Sequence, residues 1–144
     1  MAKLCPLLDQ RRLREAFGEV TVAQEQTRTV SGAEVMTCGL SAGHLPDGLV
    51  FSVIAEVVPG EGREMFEGLR QVQMNEGPVV DVDGPGTAAY TYVDELTGTH
   101  LVTYDGDLYL SLAAVPLRIG AALPRGVSDH LTHLASSVLS GLRR

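Results

Sequence analysis

Two extended runs, residues 99–104 and 107–115, flank Asp105-Gly106, and this arrangement restricts the fold more than any other stretch of the chain. Asp-Gly favours positive φ at both central positions of a type I′ turn, whose twist matches that of paired strands. A hairpin is therefore expected, with Leu108, Leu110 and Leu112 on one face and Tyr109 and Ser111 on the other, because strand side chains alternate. Leu49, Phe51, Val53, Ala55 and Val57 also fall at every second position, the pattern of a long, central strand with one buried face. Strands of this kind need neighbours and a covering layer.

The rest of the chain supplies both. Asp9 before residues 10–17 reads as the cap of a short helix, with Leu8 and Leu13 at staple positions, Gly18 as its stop, and Leu13, Ala16 and Phe17 on its inner face. The polar, Thr-rich residues 20–29 and the more apolar 33–40 predict an edge strand and its partner, joined near Ser31-Gly32. After Pro59-Gly60, Met65, Phe66, Leu69 and Val72 recur at helical spacing, with Arg63, Glu64, Glu67 and Arg70 around them. Gly68 inside that helix means either a close neighbour or a weak helix. Gly77-Pro78 ends it. Residues 79–82 predict a short strand, Gly84-Pro85-Gly86 a turn, and residues 87–93 a further strand. Pro116 and Pro124 bracket a linker. Ser128 then caps a last helix whose Leu131, Leu134, Ala135, Val138, Leu139 and Leu142 form one apolar stripe. The expected fold is α+β: a single antiparallel β-sheet packed against helices, in the order α-βββ-α-ββββ-α, making one domain over residues 1–144.

Charge and composition narrow the function. A net charge of −7 without a local Lys/Arg stripe opposes the counterion release that drives nucleic-acid binding, so nucleic acid is not an expected partner. The longest apolar stretch, near residues 49–58, carries Ser52 and Glu56 and falls short of the roughly 20 residues a membrane span needs. No transmembrane segment is expected. Met1-Ala2-Lys3 runs into the domain without an apolar leader, so a secretion signal is read as never present or removed. Cys5 and Cys38 are the two cysteines, 33 residues apart and without a CxxC pair or a nearby histidine at metal-ligand spacing. They read equally as a disulfide of an oxidising compartment or as two buried thiols of a cytoplasmic protein.

Several features bear on chemistry. Gly84-Pro85-Gly86 lacks the third glycine and the helix of a dinucleotide fingerprint, and no GxxxxGK[ST] loop or GxSxG elbow occurs. His130 and His133 stand three apart beside Asp129. A metal would need a third ligand, and solvated surface histidines are the expectation. Asp81, Asp83, Asp94 and Glu95 place carboxylates on loops flanking one strand, read as a solvated acidic rim rather than a calcium loop. Tyr90, Tyr92, Tyr104 and Tyr109, all the tyrosines of the chain, lie in the C-terminal strands. They form a candidate binding surface whose alternative is cross-strand packing. No catalytic residue, metal or cofactor is predicted.

Cys5-Pro6-Leu7-Leu8 ahead of the first helix, Cys38, Gly84-Pro85-Gly86-Thr87-Ala88-Ala89-Tyr90, Asp105-Gly106-Asp107-Leu108-Tyr109-Leu110 and the closing helix over residues 131–142 together resemble a family of small actinobacterial cell-surface lipoproteins of unknown function, related to LpqN-type and PsbP-like folds. The resemblance implies a Cys5–Cys38 disulfide, an extracellular or cell-surface location, and a non-catalytic role in binding a protein or small ligand, with any lipid anchor absent from this chain. It carries over no catalytic residue. A second class fits the length, charge and element order: small acidic secretion chaperones of the cytoplasm, which dimerise around an unfolded client.

Overall fold

A computed structural model of the chain describes residues 3–43, 48–118 and 121–142. The reading of the first two residues, and the middle of the linker between Pro116 and Pro124, lie outside the described residues. A single 3-10 turn at Cys5–Leu7 precedes α1 (Gln10–Phe17) and the strands β1 (Val20–Val30), β2 (Ala33–Ala42) and β3 (Leu49–Val57). Helix α2 (Gly62–Glu76) follows, then β4 (Val80–Val82), β5 (Ala88–Asp94), β6 (Gly98–Asp105), β7 (Leu108–Pro116) and α3 (Val127–Leu142). The strands form one seven-stranded sheet in the order β1-β2-β3-β7-β6-β5-β4, with every neighbouring pair antiparallel. This is the expected α+β architecture. Helix α2 carries the chain from the interior strand β3 to the far edge at β4, and the three strands after β4 return inward until β7 pairs with β3.

Both sheet faces are covered, by different means. On the first, the alternating residues of β3 (Leu49, Phe51, Val53, Ala55) meet Leu110, Leu112 and Ala114 of β7 and the stripe Leu131, Leu134, Ala135, Val138 and Leu139 of α3. Each of those leucines is at most 2 % exposed and contributes roughly 1.5–3 kcal/mol of hydrophobic stabilisation. On the second face, Phe66 of α2 sits on Tyr90, Val102 and Tyr109. Helix α2 lies over β6 and β7. Its first residue, Gly62, comes so close to the β6–β7 turn that a Cβ there would collide with the Gly106 carbonyl.

Three local expectations are corrected, and one open alternative, at Gly68, is decided. The β6–β7 turn is one residue later than the Asp-Gly reading: Asp105 pairs with Leu108, leaving Gly106 and Asp107 as the loop. Gly106 has φ +60 while Asp107 has no positive φ, which suits a type II′ turn with glycine first. Val72 is 51 % exposed, because it stands about 120° round the helix from Phe66, whereas Gly62, Leu69 and Gln73 fall within about 60°. Ala16 is exposed, since at the end of the two-turn α1 only the longer Phe17 side chain reaches the core, 5.6 Å from Phe51 between ring centroids. Gly68 has open space where a Cβ would be, so no close neighbour requires it and it simply weakens α2.

The N-terminal segment is held covalently. Cys5 and Cys38 form a disulfide with Cα atoms 5.2 Å apart, and both are buried. Around it the Cys5 N–H donates to Glu25 Oε2 at 2.8 Å, Gln10 Nε2 donates to the Cys5 carbonyl at 3.1 Å, and Ser137 Oγ donates to the Leu7 carbonyl at 2.6 Å. With a sequence separation of 33, the crosslink restricts the unfolded chain by about 4 kcal/mol. Urea unfolding with and without reductant is expected to show a loss of that size. A loss below about 1 kcal/mol would mean that the segment's other contacts hold it unaided.

Candidate functional site

The four tyrosines share the second sheet face because their positions alternate and the register aligns them. Tyr90 is opposite Val102, Tyr92 opposite His100, Tyr104 opposite both Ala88 and Tyr109. Tyr90, Tyr92 and Tyr104 make a continuous aromatic row with Phe66 from α2 and with His100, and Tyr109 packs in the same cluster. His100 stacks on Tyr92 at 4.7 Å with planes 4° apart, Tyr92 lies 6.1 Å from Tyr90, and Phe66 stands 5.2 Å from Tyr90 and 4.9 Å from Tyr104. Tyr90 and Tyr109 are buried, whereas Tyr92 and Tyr104 are half-buried. Only the latter two present ring area to a partner. Burial raises the hydroxyl pKa of Tyr90, Tyr92 and Tyr109, so all three stay neutral. The Tyr90 hydroxyl has no hydrogen-bond partner among the described residues.

A groove of about 530 Å³ opens beside this row, between α2 and the Gly84-Pro85-Gly86 turn. Arg70 spans it as a fork on Asp81, with Nη2 at 2.9 Å from Oδ1 and 3.1 Å from Oδ2, tying α2 to β4. Asp83 lines the same groove and is exposed. Gly86, at φ +58, leaves no room for a Cβ against the Tyr104 carbonyl and the Thr103 hydroxyl. That hydroxyl donates to the Ala88 carbonyl at 2.7 Å. The triplet is therefore a tight turn, as read from the sequence. The other two loop carboxylates are elsewhere: Asp94 accepts from the Leu96 and Thr97 N–H groups at 2.8 and 3.0 Å, which lowers its pKa, and Glu95 stands next to it in the β5–β6 turn.

His133 is exposed, as expected, yet it has a partner, and His130 is half-buried rather than solvated. His133 Nε2 is 2.9 Å from Asp9 Oδ2. Nδ1 of His130 accepts from Arg12 Nε at 3.3 Å, and its ring packs edge-on to Phe17 at 4.9 Å. Both join α3 to α1. His100 lies on the other side of the sheet, its Nε2 2.7 Å from Thr97 Oγ1. Among the described residues the ligating groups that cluster most closely are Cys5, Glu25 and Cys38, and there the two sulfurs are bonded to each other.

One site escaped the sequence reading. Where β2, β3, β7 and β6 end together, Met36, Val57, Leu108 and Leu142 line a groove of about 730 Å³ with Glu34, Asp105 and Asp107 around it. These residues come from four strands, a turn and a helix. Only the strand register, which no local pattern encodes, assembles them.

Two outcomes check this description. Replacing Tyr90 by Phe removes a buried hydroxyl without a partner, so stability is expected to stay level or rise by up to about 1 kcal/mol in urea unfolding; a clear loss would reveal a hidden partner. Burial first, and then the adjacent Arg12 charge, lower the pKa of His130 below its ordinary 6.5, and burial lowers that of His100. The unfolded chain therefore takes up protons first as pH falls below 6.5, and stability declines there. Asp9, held low chiefly by its hydrogen bond with His133 and next by the Arg12 N–H, is a depressed carboxyl. Its contribution is complete above 3.8 and is lost as pH falls further, through its folded-state pKa. Urea midpoints should thus drop in two stages, and His130→Gln should flatten the first.

No family model matches the chain, and neither a curated protein nor a solved structure matches it, so its own residues are the guide to its role.

Proposed function

We propose that this chain is a non-catalytic binding domain that works in an oxidising compartment outside the cytoplasm, on a cell surface or secreted, where it holds a protein or small ligand. The observation that carries the reading is the buried Cys5–Cys38 disulfide. Disulfides form and persist in such compartments and are reduced in most cytoplasms. The non-catalytic half is supported by the placement of the groups that do acid–base work elsewhere. His130 and His133 join two helices, His100 stacks on Tyr92, and Asp81 is paired with Arg70. The binding half is supported by two grooves of drug-like size, about 530 and 730 Å³. Among the described residues, no helix is long and apolar enough to cross a membrane.

A second reading, the small acidic dimeric secretion chaperone, draws on one observation. Helix α2 leaves Val35, Val50, Ile54 and Val115 only partly covered on the second sheet face, with Ile54 36 % exposed, a surface a second copy could cover. The two readings separate cleanly. Protein trapped with an alkylating agent at the moment of cell lysis and then unfolded should show no labelled thiol, and light scattering should report a monomer. Two labelled thiols together with a dimer would overturn the first reading and put the chaperone in first place.

A further inference from the structure

Asp-Gly occurs at Asp47-Gly48, Asp83-Gly84 and Asp105-Gly106. Such a pair is reactive because glycine has no side chain to shield its nitrogen, which can attack the carboxyl carbon of the aspartate before it. The ring closes only where the carboxyl and the N–H are free and the aspartate's ψ can leave the extended range. Asp47 lies outside the described residues, and the other two pairs are placed very differently. Asp83 and Gly84 are in the β4–β5 connection, and both are exposed. Among the described residues, neither the Asp83 carboxylate nor the Gly84 N–H has a hydrogen-bond partner. Gly84 has φ +116 and nothing within 4 Å of the place a Cβ would take, so no neighbour resists rotation there. Asp105, by contrast, is half-buried, lies opposite Leu108 in the ladder and has a partner of its own. The ladder keeps its ψ at about +135°, which turns the Gly106 nitrogen away from its Cγ.

We propose that Asp83 is a modification site, isomerising spontaneously to isoaspartate, and that the change releases β4 from the sheet edge. The Gly84 nitrogen bonds to Asp83 Cγ while the carboxyl, reacting as the acid, loses its hydroxyl, which leaves as water with the amide proton. Water then opens the resulting succinimide. Attack at the main-chain carbonyl breaks its bond to the Gly84 nitrogen and leaves isoaspartate, whose main chain runs through Cβ and Cγ, whereas attack at Cγ restores aspartate. One water is lost and one gained, so the mass is unchanged and no redox partner is needed. The product lengthens the main chain by one carbon in a connection held at both ends. On one side Val82 is opposite Ala89. On the other, Gly86 has no room for a Cβ and the Thr87 N–H donates to the Tyr104 carbonyl at 2.8 Å. The weaker anchor is β4, an edge strand of three residues, so it takes up the extra length and draws Asp81 off the Arg70 fork. The wall of the groove beside α2 therefore changes with the age of the molecule, whichever ligand it takes.

The test ages the oxidised full chain for weeks at body temperature in mildly acidic buffer, beside a sample kept unfolded in guanidinium chloride. Arg70 and Arg118 bound a tryptic peptide, residues 71–118, that carries both pairs. Electron-transfer fragmentation, which breaks isoaspartate between Cα and Cβ, thus reads both positions from one molecule. In the folded chain isoaspartate at Asp83 should exceed that at Asp105 roughly tenfold, because Asp105 reacts only when its ladder opens locally. In the unfolded chain the two should age alike. Asp83→Glu, whose longer side chain closes its ring far more slowly, should abolish the product there and leave Asp105 as it was. Amide hydrogen exchange on the isomerised chain, separated by chromatography, should be several-fold faster over residues 80–82 and unchanged in β7. The modification site is overturned if Asp83 stays unaltered in the folded chain, or if the two positions age there in the same ratio as in guanidinium. Isomerised chain whose residues 80–82 exchange at the original rate would overturn the release of β4.

Discussion

The pairing of β3 with β7 is the constraint on which the other layers depend. It brings Val53 opposite Leu112, residues about sixty positions apart across the middle of the chain, and it closes the loop entropy of everything between them at one stroke. Once β7 lies beside β3, the strands leading up to it must fill the sheet outward to β4, and the connection to that edge must cross a face. Helix α2 makes that crossing and buries Phe66 on the way. The opposite face is left for α3, whose stripe meets the same two central strands. Each helix thus covers the face that the topology leaves to it.

The alternation of Leu49 through Ala55 and of Leu108 through Leu112 was legible because one face of each strand is apolar at every position, while the other is interrupted by Ser52 and Glu56 in β3 and by Tyr109 and Ser111 in β7. The Asp9 cap was legible as well, whereas Ser128, read as the cap of the last helix, lies inside α3, whose first residue is Val127 and whose first-turn N–H groups of Asp129 and His130 reach the Gly126 carbonyl instead. Asp9 accepts from the Arg12 N–H at 3.1 Å, a bond that the side chain and its neighbours announce locally. What was misread lies where a local pattern competes with a long-range contact. Asp105-Gly106 looked like the centre of a turn, yet Asp105 is drawn into the ladder opposite Leu108 and Gly106-Asp107 becomes the loop. Part of the reason is tertiary: the Asp107 carboxylate and carbonyl are engaged by Gly60 and Val58, residues nearly fifty positions earlier.

The candidate sites divide the same way. The tyrosines could be placed on neighbouring strands from sequence, but not ranked, since the covering ring of Phe66 decides that Tyr90 is enclosed while Tyr92 and Tyr104 keep an open edge. The α3 pattern alone shows His133 turned from the leucine stripe, and it is exposed, but it says nothing of what the two histidines of that helix bond to. Their partners are on α1, more than a hundred residues away. The acidic groove was invisible for a related reason: Glu34 and Asp105 are ordinary surface carboxylates until strand order sets them on either side of two aliphatic residues.

The disulfide has one more effect, on what happens when the backbone is cut. Cys5 and Cys38 enclose α1, β1 and the tight turn at Ser31-Gly32, where both residues have positive φ and are exposed. A protease that opens that turn separates no fragments. The piece bearing α1 and β1 stays chained to β2 through the sulfurs, and ten rungs of β1–β2 pairing remain to hold it in register. Nicked molecules would migrate as intact ones until reductant is added, so the domain tolerates damage at this exposed turn without losing its edge strand.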